Sequence, residues 1–159
     1  MIDILKILEQ DSTLPPEKVA AMLGRPVDEV KKDIQELEQQ KIIRRYKAVV
    51  DWEKAGVERV SAFIDVKLLP SRGVGFDDVA ERIYRFPEVR SVYLVSGDYD
   101  LRVIVEGEGI KQVAFFVSDK LATIDRVQGT ATHFMLKKYK EDNDIFEEPE
   151  EDRRLIVSP

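Results

Sequence analysis

The sequence predicts an α+β chain: an N-terminal winged helix-turn-helix followed by a ferredoxin-like βαββαβ unit. Three observations carry this reading. Apolar residues at helical spacing flank the break Gly24-Arg25-Pro26, as in two helices joined by a short Gly-containing turn. From Val60 the apolar and polar residues alternate, the period of a strand with one buried face. Strand and helix rhythms then follow in the order β-α-β-β-α-β, which a four-stranded antiparallel sheet with two helices on one face satisfies.

The elements follow in order. Ile4, Leu5 and Leu8 define a first helix, ended by Asp11-Ser12-Thr13. Pro16 suits a first helical position, and Val19, Ala20 and Leu23 form the next apolar stripe. Val30, Ile34 and Leu37 repeat at i, i+4, i+7 and mark the buried side of a third helix. Lys41 to Val50 is rich in β-branched residues and is expected to be an extended wing hairpin. Residues 51–59 form the linker. Val60, Ala62, Ile64, Val66 and Leu68 give the first strand, and Pro70 to Gly75 a loop. Phe76, Val79, Ala80 and Ile83 predict a helix stopped before Pro87; Val89–Val95 and Leu101–Val105 predict two strands around the turn at Gly97-Asp98. Ile110, Val113, Ala114, Val117 and Leu121 repeat at helical spacing, and Val127 to Tyr139 reads as one long closing strand. The resulting division is 1–50, 51–59, 60–139 and an acidic tail, 140–159.

Charge is unevenly spread. Residues 1–50 hold nine basic and nine acidic groups, whereas residues 140–159 hold three and eight. The net charge of −6 therefore reflects the tail and leaves room for a local basic patch. The tail reads as a solvated extension with two apolar clusters, Ile145-Phe146 and Leu155-Ile156-Val157. The absence of cysteine excludes a disulfide scaffold, a thiol nucleophile and a Cys-based metal site. No apolar run is long enough for a membrane span, and the acidic N-terminal flank predicts no signal peptide. A cytoplasmic protein is expected.

Catalytic signatures are scarce. His133 is the only histidine and lies mid-strand, so it reads as a structural residue. Gly73-x-Gly75 and Gly107-x-Gly109 lack the third glycine of a dinucleotide fingerprint. No catalytic residue, metal site or cofactor is assigned.

Two regions carry binding chemistry. With Val30, Ile34 and Leu37 inward, Asp28, Lys31, Lys32 and Gln35 lie on or beside the outer arc of the third helix. There Lys32 can reach a phosphate or guanine edge, and Gln35 an adenine edge. Lys41, Arg44, Arg45 and Lys47 place four cations within seven residues, suited to phosphate contact directly after a helix-turn-helix. The second region is Ser96-Gly97-Asp98-Tyr99-Asp100. It reads equally well as a plain hairpin turn or as a ligand loop, where backbone N–H groups hold a carboxylate and Asp98 and Asp100 an ammonium.

The motifs resemble the Lrp/AsnC (feast/famine) family of transcription regulators over about residues 2–139. The resemblance rests on Lys18-Val-Ala-Ala-Met-Leu-Gly24 through Leu37-Glu38, Ile42-Ile43-x-x-Tyr46, Asp51-x-x-Lys54-x-Gly56, Phe86-Pro-Glu-Val89, Val95-Ser-Gly-Asp-Tyr-Asp-Leu101 and the closing strand with Thr130 and Thr132. It implies double-stranded DNA as a partner, and homodimers formed by pairing the sheets, commonly assembled into octamers. It also implies a small effector, usually an amino acid, bound near Gly97, Asp98, Tyr99 and Asp100, with Thr132 added to the site. The sequence departs from the family at Asp33 and Glu36, where the recognition helix usually has basic residues. This motivates an alternative, an oligomeric sensor acting through protein partners with weak or lost DNA binding. A ligand-binding subunit with its own catalysis is a third reading, disfavoured by the missing motifs.

Overall fold

The computed structural model describes residues 1–73 and 75–146. It divides into two compact units, Met1–Val49 and a second beginning at Val50.

The first unit contains α1 (Ile2–Gln10), α2 (Pro16–Leu23) and α3 (Val27–Gln39). Asp11 ends α1, and its carboxylate accepts hydrogen bonds from the backbone N–H and hydroxyl of Thr13. Pro16 opens α2 at the position where its missing N–H costs nothing. Gly24 closes α2 in the left-handed region at φ 61°, and its N–H caps Ala20 and Ala21. Ile4, Leu8, Val19, Ala20, Val30, Ile34 and Leu37 form the core, with Ile43 packed against it. Burying a side chain such as Leu37 is worth about 1.5–3 kcal/mol.

The segment after α3 departs from expectation. Residues 44–50 contain no strand, and no hairpin forms within 41–50. The N–H groups of Ile42 and Ile43 both bond the Leu37 carbonyl, Lys41 sits at φ 56°, and Ile43 is drawn back to the helical core. No second strand of this unit faces the remaining residues, and β-branched composition cannot supply the missing ladder.

The second unit comprises β1 (Val60–Leu68), α4 (Asp77–Tyr84), β2 (Val89–Leu94), β3 (Leu101–Gly107), α5 (Ile110–Phe115) and β4 (Val127–Phe134). The sheet order is β2-β3-β1-β4, every pair antiparallel. Ala62, Ile64, Val66 and Leu68 meet Val79 and Ile83 of α4 and Val113 of α5 in one core. The opposite sheet face follows from the register. Phe63 stands opposite Ile104 and His133, Asp65 opposite Arg102 and Ala131, and Tyr93 opposite Arg102.

Three boundaries differ from the periodicity reading. Regular α-helix ends at Phe115, and Phe116–Leu121 continues as a π-helix that buries Phe116 and Leu121. The closing strand stops at Phe134 rather than Tyr139, because β1 offers no backbone partner beyond Met135–Ser61. The acidic tail is not a plain solvated extension from residue 140. β5 (Lys140–Glu141) and β6 (Asp144–Ile145) pair around Asp142-Asn143, both at positive φ, the conformation of a two-residue hairpin turn. Leu155-Ile156-Val157 lies outside the described residues.

Candidate functional site

The exposed surface of α3 and the segment after it carry the first candidate site. Asp28, Lys31, Lys32 and Gln35 are all exposed, as are Arg44, Arg45 and Lys47. They differ in what holds them. The Lys31 ammonium lies 2.7 Å from Glu17 of α2, which raises its pKa chiefly through that hydrogen bond. Lys32, Arg44 and Arg45 form no ion pair with another described residue. Three cations are thus available to an outside anion, and one is committed to the fold.

The acidic residues of α3 that spoke against a polyanion partner are largely engaged within the chain. Arg25, in the turn between α2 and α3, places Nη1 2.8 Å from Oδ2 of Asp33 and Nη2 3.4 Å from Glu29. The Asp33 side chain is only 19% exposed, so this carboxylate fastens the turn to the helix. Glu36 accepts a 2.8 Å hydrogen bond from Gln40. The Tyr46 hydroxyl donates to Glu38 at 2.8 Å and ties the basic segment to the end of α3. Burial first, and then this bond, push the Tyr46 pKa up to about 12.

The Gly97–Asp100 loop joins β2 to β3. Gly97 has φ 116°, which strongly favours glycine. A Cβ there would meet nothing within 4 Å, so glycine is required by the turn rather than by crowding. Asp98 is exposed and Tyr99 half-buried. Asp100 does not point free into a ligand space: its Oδ2 accepts the backbone N–H of Leu68 at 2.8 Å and lies 3.7 Å from the Lys67 ammonium. One of the two carboxylates proposed for an ammonium thus caps the end of β1. Thr132 stands opposite Ile64, and β1 separates its strand from β3. Two strand spacings, about 10 Å, therefore keep Thr132 apart from the loop within one chain.

The open sheet face holds contacts that the alternation pattern did not announce. Asp65 is a buried charge, 6% exposed, among the described residues. Arg102 meets it with two hydrogen bonds, Nε to Oδ1 at 2.8 Å and Nη2 to Oδ2 at 3.0 Å. That fork holds the Asp65 carboxyl below its usual range. His133 places Nε2 3.5 Å from Asp65, with its side chain 61% exposed. It is an exposed residue at the rim of this cluster. An Asp in a strand opposite an Arg is the only sequence signal for the cluster, and it becomes readable once the register is known.

No helix among the described residues is long and apolar enough to cross a membrane.

The profile of the Lrp/AsnC ligand binding domain matches residues 61–145. The chain is 56% identical over 158 residues to YugG of Bacillus subtilis, an uncharacterized HTH-type transcriptional regulator, covering 99% of this chain and 95% of that protein. Two solved structures share the fold. One is a transcriptional regulator of Neisseria meningitidis in complex with L-Met (TM-score 0.69, 24% identity, 88% of this chain and 90% of that one). The other is a feast or famine regulatory protein of M. tuberculosis complexed with L-methionine (TM-score 0.73, 22% identity, 89% and 92%). A helix-turn-helix with outward cations, a βαββαβ sheet and these matches lead to one assignment: the chain belongs to the Lrp/AsnC family of HTH-type transcriptional regulators.

Proposed function

We propose that the chain is a homo-oligomeric cytoplasmic regulator that binds double-stranded DNA through residues 1–50 and responds to an amino acid through residues 60–139, with 51–59 as the joint. The observation that carries the DNA reading is the exposure of Lys32, Arg44 and Arg45 without a counter-charge among the described residues, beside an Asp33 already neutralised by Arg25. Lys32 and Gln35 address base edges or phosphates, with Asp28 and Lys31 at the border of the contact; Arg44, Arg45 and Lys47 address phosphates. The chain's role is binding rather than catalysis.

The open sheet face supports a homodimer. Tyr93 is 53% exposed there, with Phe63 and Ile104 half-buried beside it. A second copy covering this face removes apolar surface from water and sets two recognition helices about one turn of DNA, or a multiple, apart. Dimers gather into octamers by analogy with the family. The effector reading draws on family membership and on the two neighbours solved with L-Met. Gly97, Asp98 and Tyr99 form its first wall, and Thr132 contributes from another subunit, because one chain keeps it on the far side of β1.

The test is capture of genomic DNA fragments by the purified protein, with and without a mixture of the twenty amino acids, alongside light scattering. Specific fragments whose yield changes with amino acids support the reading. No enrichment over random DNA, or a mass of one 18.3 kDa chain at micromolar concentration, overturns it.

A further inference from the structure

The geometry points to a second small-molecule site, separate from the Gly97–Asp100 loop, that takes a carboxylate carrying an apolar or aromatic body. The site is a concavity of about 620 Å³ in the second unit, within the roughly 300–1,000 Å³ typical of small-ligand pockets. Its walls come from the Val50–Arg59 segment, the Ser61 end of β1, Glu106 of β3 and the chain that follows β4. The loop lies at the other end of β1, beside Leu68, a strand length of about 20 Å away.

Arg59 is the centre of the argument. Its guanidinium carbon lies over the Trp52 ring at 3.6 Å from the centroid, a cation–π contact. It donates no hydrogen bond to a described residue. Its nearest acid among the described residues is Glu106 at 3.7 Å, beyond hydrogen-bond reach, and Glu106 is already held by Nε of Arg90 at 2.9 Å. An exposed guanidinium stacked on an indole, with unspent donors and lining a concavity, is a fork for a planar anion. Val57, Leu136 and Phe146 supply apolar surface to the same space, and Leu136 is 95% exposed. Asp51, Glu53, Glu58, Lys137 and Lys138 also line it. With Glu106 and Arg59 the lining holds four acids against three cations, a balance that suits a single carboxylate better than a phosphate dianion. Because the second unit begins at Val50, directly after the first ends at Val49, the ligand touches the stretch of the second unit that follows the helix-turn-helix in the chain.

Trp52 is the only tryptophan and reports on its own site. The full-length protein is titrated with 3-phenylpropanoate and 4-methylpentanoate, with L-phenylalanine and L-leucine as zwitterionic counterparts and acetate as the probe without a body. Fluorescence and calorimetry follow binding. The expected result is that the two longer carboxylates change Trp52 emission with one site per chain, and acetate does not. Tighter binding of the amino acids than of the plain acids assigns the ammonium to Glu53 and Glu58; the reverse assigns a non-amino carboxylate. Arg59→Gln weakens the bound member by about tenfold or more, and Arg59→Lys by less. Leu136→Glu, at a fully exposed position that leaves folding intact, weakens it as well. Absence of binding by all four bodied probes overturns the inference. So does binding that is indifferent to both Arg59→Gln and Leu136→Glu. Binding lost in Asp98→Ala but kept in Arg59→Gln overturns this site while leaving the loop effector reading in place.

Discussion

Replacing Lys32, Arg44 and Arg45 together by alanine tests the DNA surface at the level of individual charges. Each is exposed and unpaired among the described residues, so each can displace one condensed counterion from DNA. One phosphate contact contributes about 0.9 unit to the slope of log K against log salt, and three contribute about 2.7 per chain. Raising salt from about 50 to about 200 mM then costs the parent about 40-fold more affinity per chain than the triple variant. Lys31→Ala is the internal control: its ammonium is 2.7 Å from Glu17, and its loss changes the slope by well under 0.9 unit. Fluorescence anisotropy of a labelled operator across a salt series reads both numbers. The assignment fails if the triple variant keeps the parental slope, or if Lys31→Ala flattens it as much as Lys32→Ala does.

Four further outcomes follow from the geometry. Asp33→Ala breaks the 2.8 Å pair with Arg25 and costs about 1–2 kcal/mol in urea unfolding, between the values for exposed and buried pairs. Asp100→Ala strands the N–H of Leu68 and costs about 1–3 kcal/mol, whereas Asp98→Ala, at an exposed position, stays within about 0.5 kcal/mol of the parent. The Asp65 carboxyl sits below its ordinary 3.8, chiefly through the Arg102 hydrogen bonds. The resulting stability is present above that ordinary value and is lost as pH falls through the folded-state value, so acid unfolding of Asp65→Asn shows a shallower pH dependence. Tyr46, pushed up to about 12 from 10.0 by burial and the Glu38 bond, contributes stability that is present below pH 10.0 and is lost as pH rises toward 12. Ultraviolet titration of Tyr46→Phe lacks that late tyrosinate step.

The helices of the first unit and the alternation of β1 are legible from the chain alone because their determinants are local. Pro16 needs no N–H donor, Gly24 reaches the left-handed region, and Val30, Ile34 and Leu37 share a face whatever lies opposite. The Gly97-Asp98 turn is legible for the same reason. Other features required partners distant in sequence. The 41–50 segment has strand composition but no strand to pair with. Helical spacing through 110–121 does not distinguish the α-helix from the π-helix that seats Phe116 and Leu121. Asp65 reads as an outward polar residue until the register sets it against Arg102, 37 positions away; Asp100 reads as a ligand until β1 brings the Leu68 N–H to it across 32. Arg25 and Asp33 are only eight residues apart, yet their pairing depends on how the turn enters α3. Sequence periodicity determined which residues face inward, because burial of a helix or strand face repeats with the backbone's own geometry. The tertiary structure decided which charges remain available to a ligand, because an ion pair is made only when the fold brings its two ends within a few ångströms.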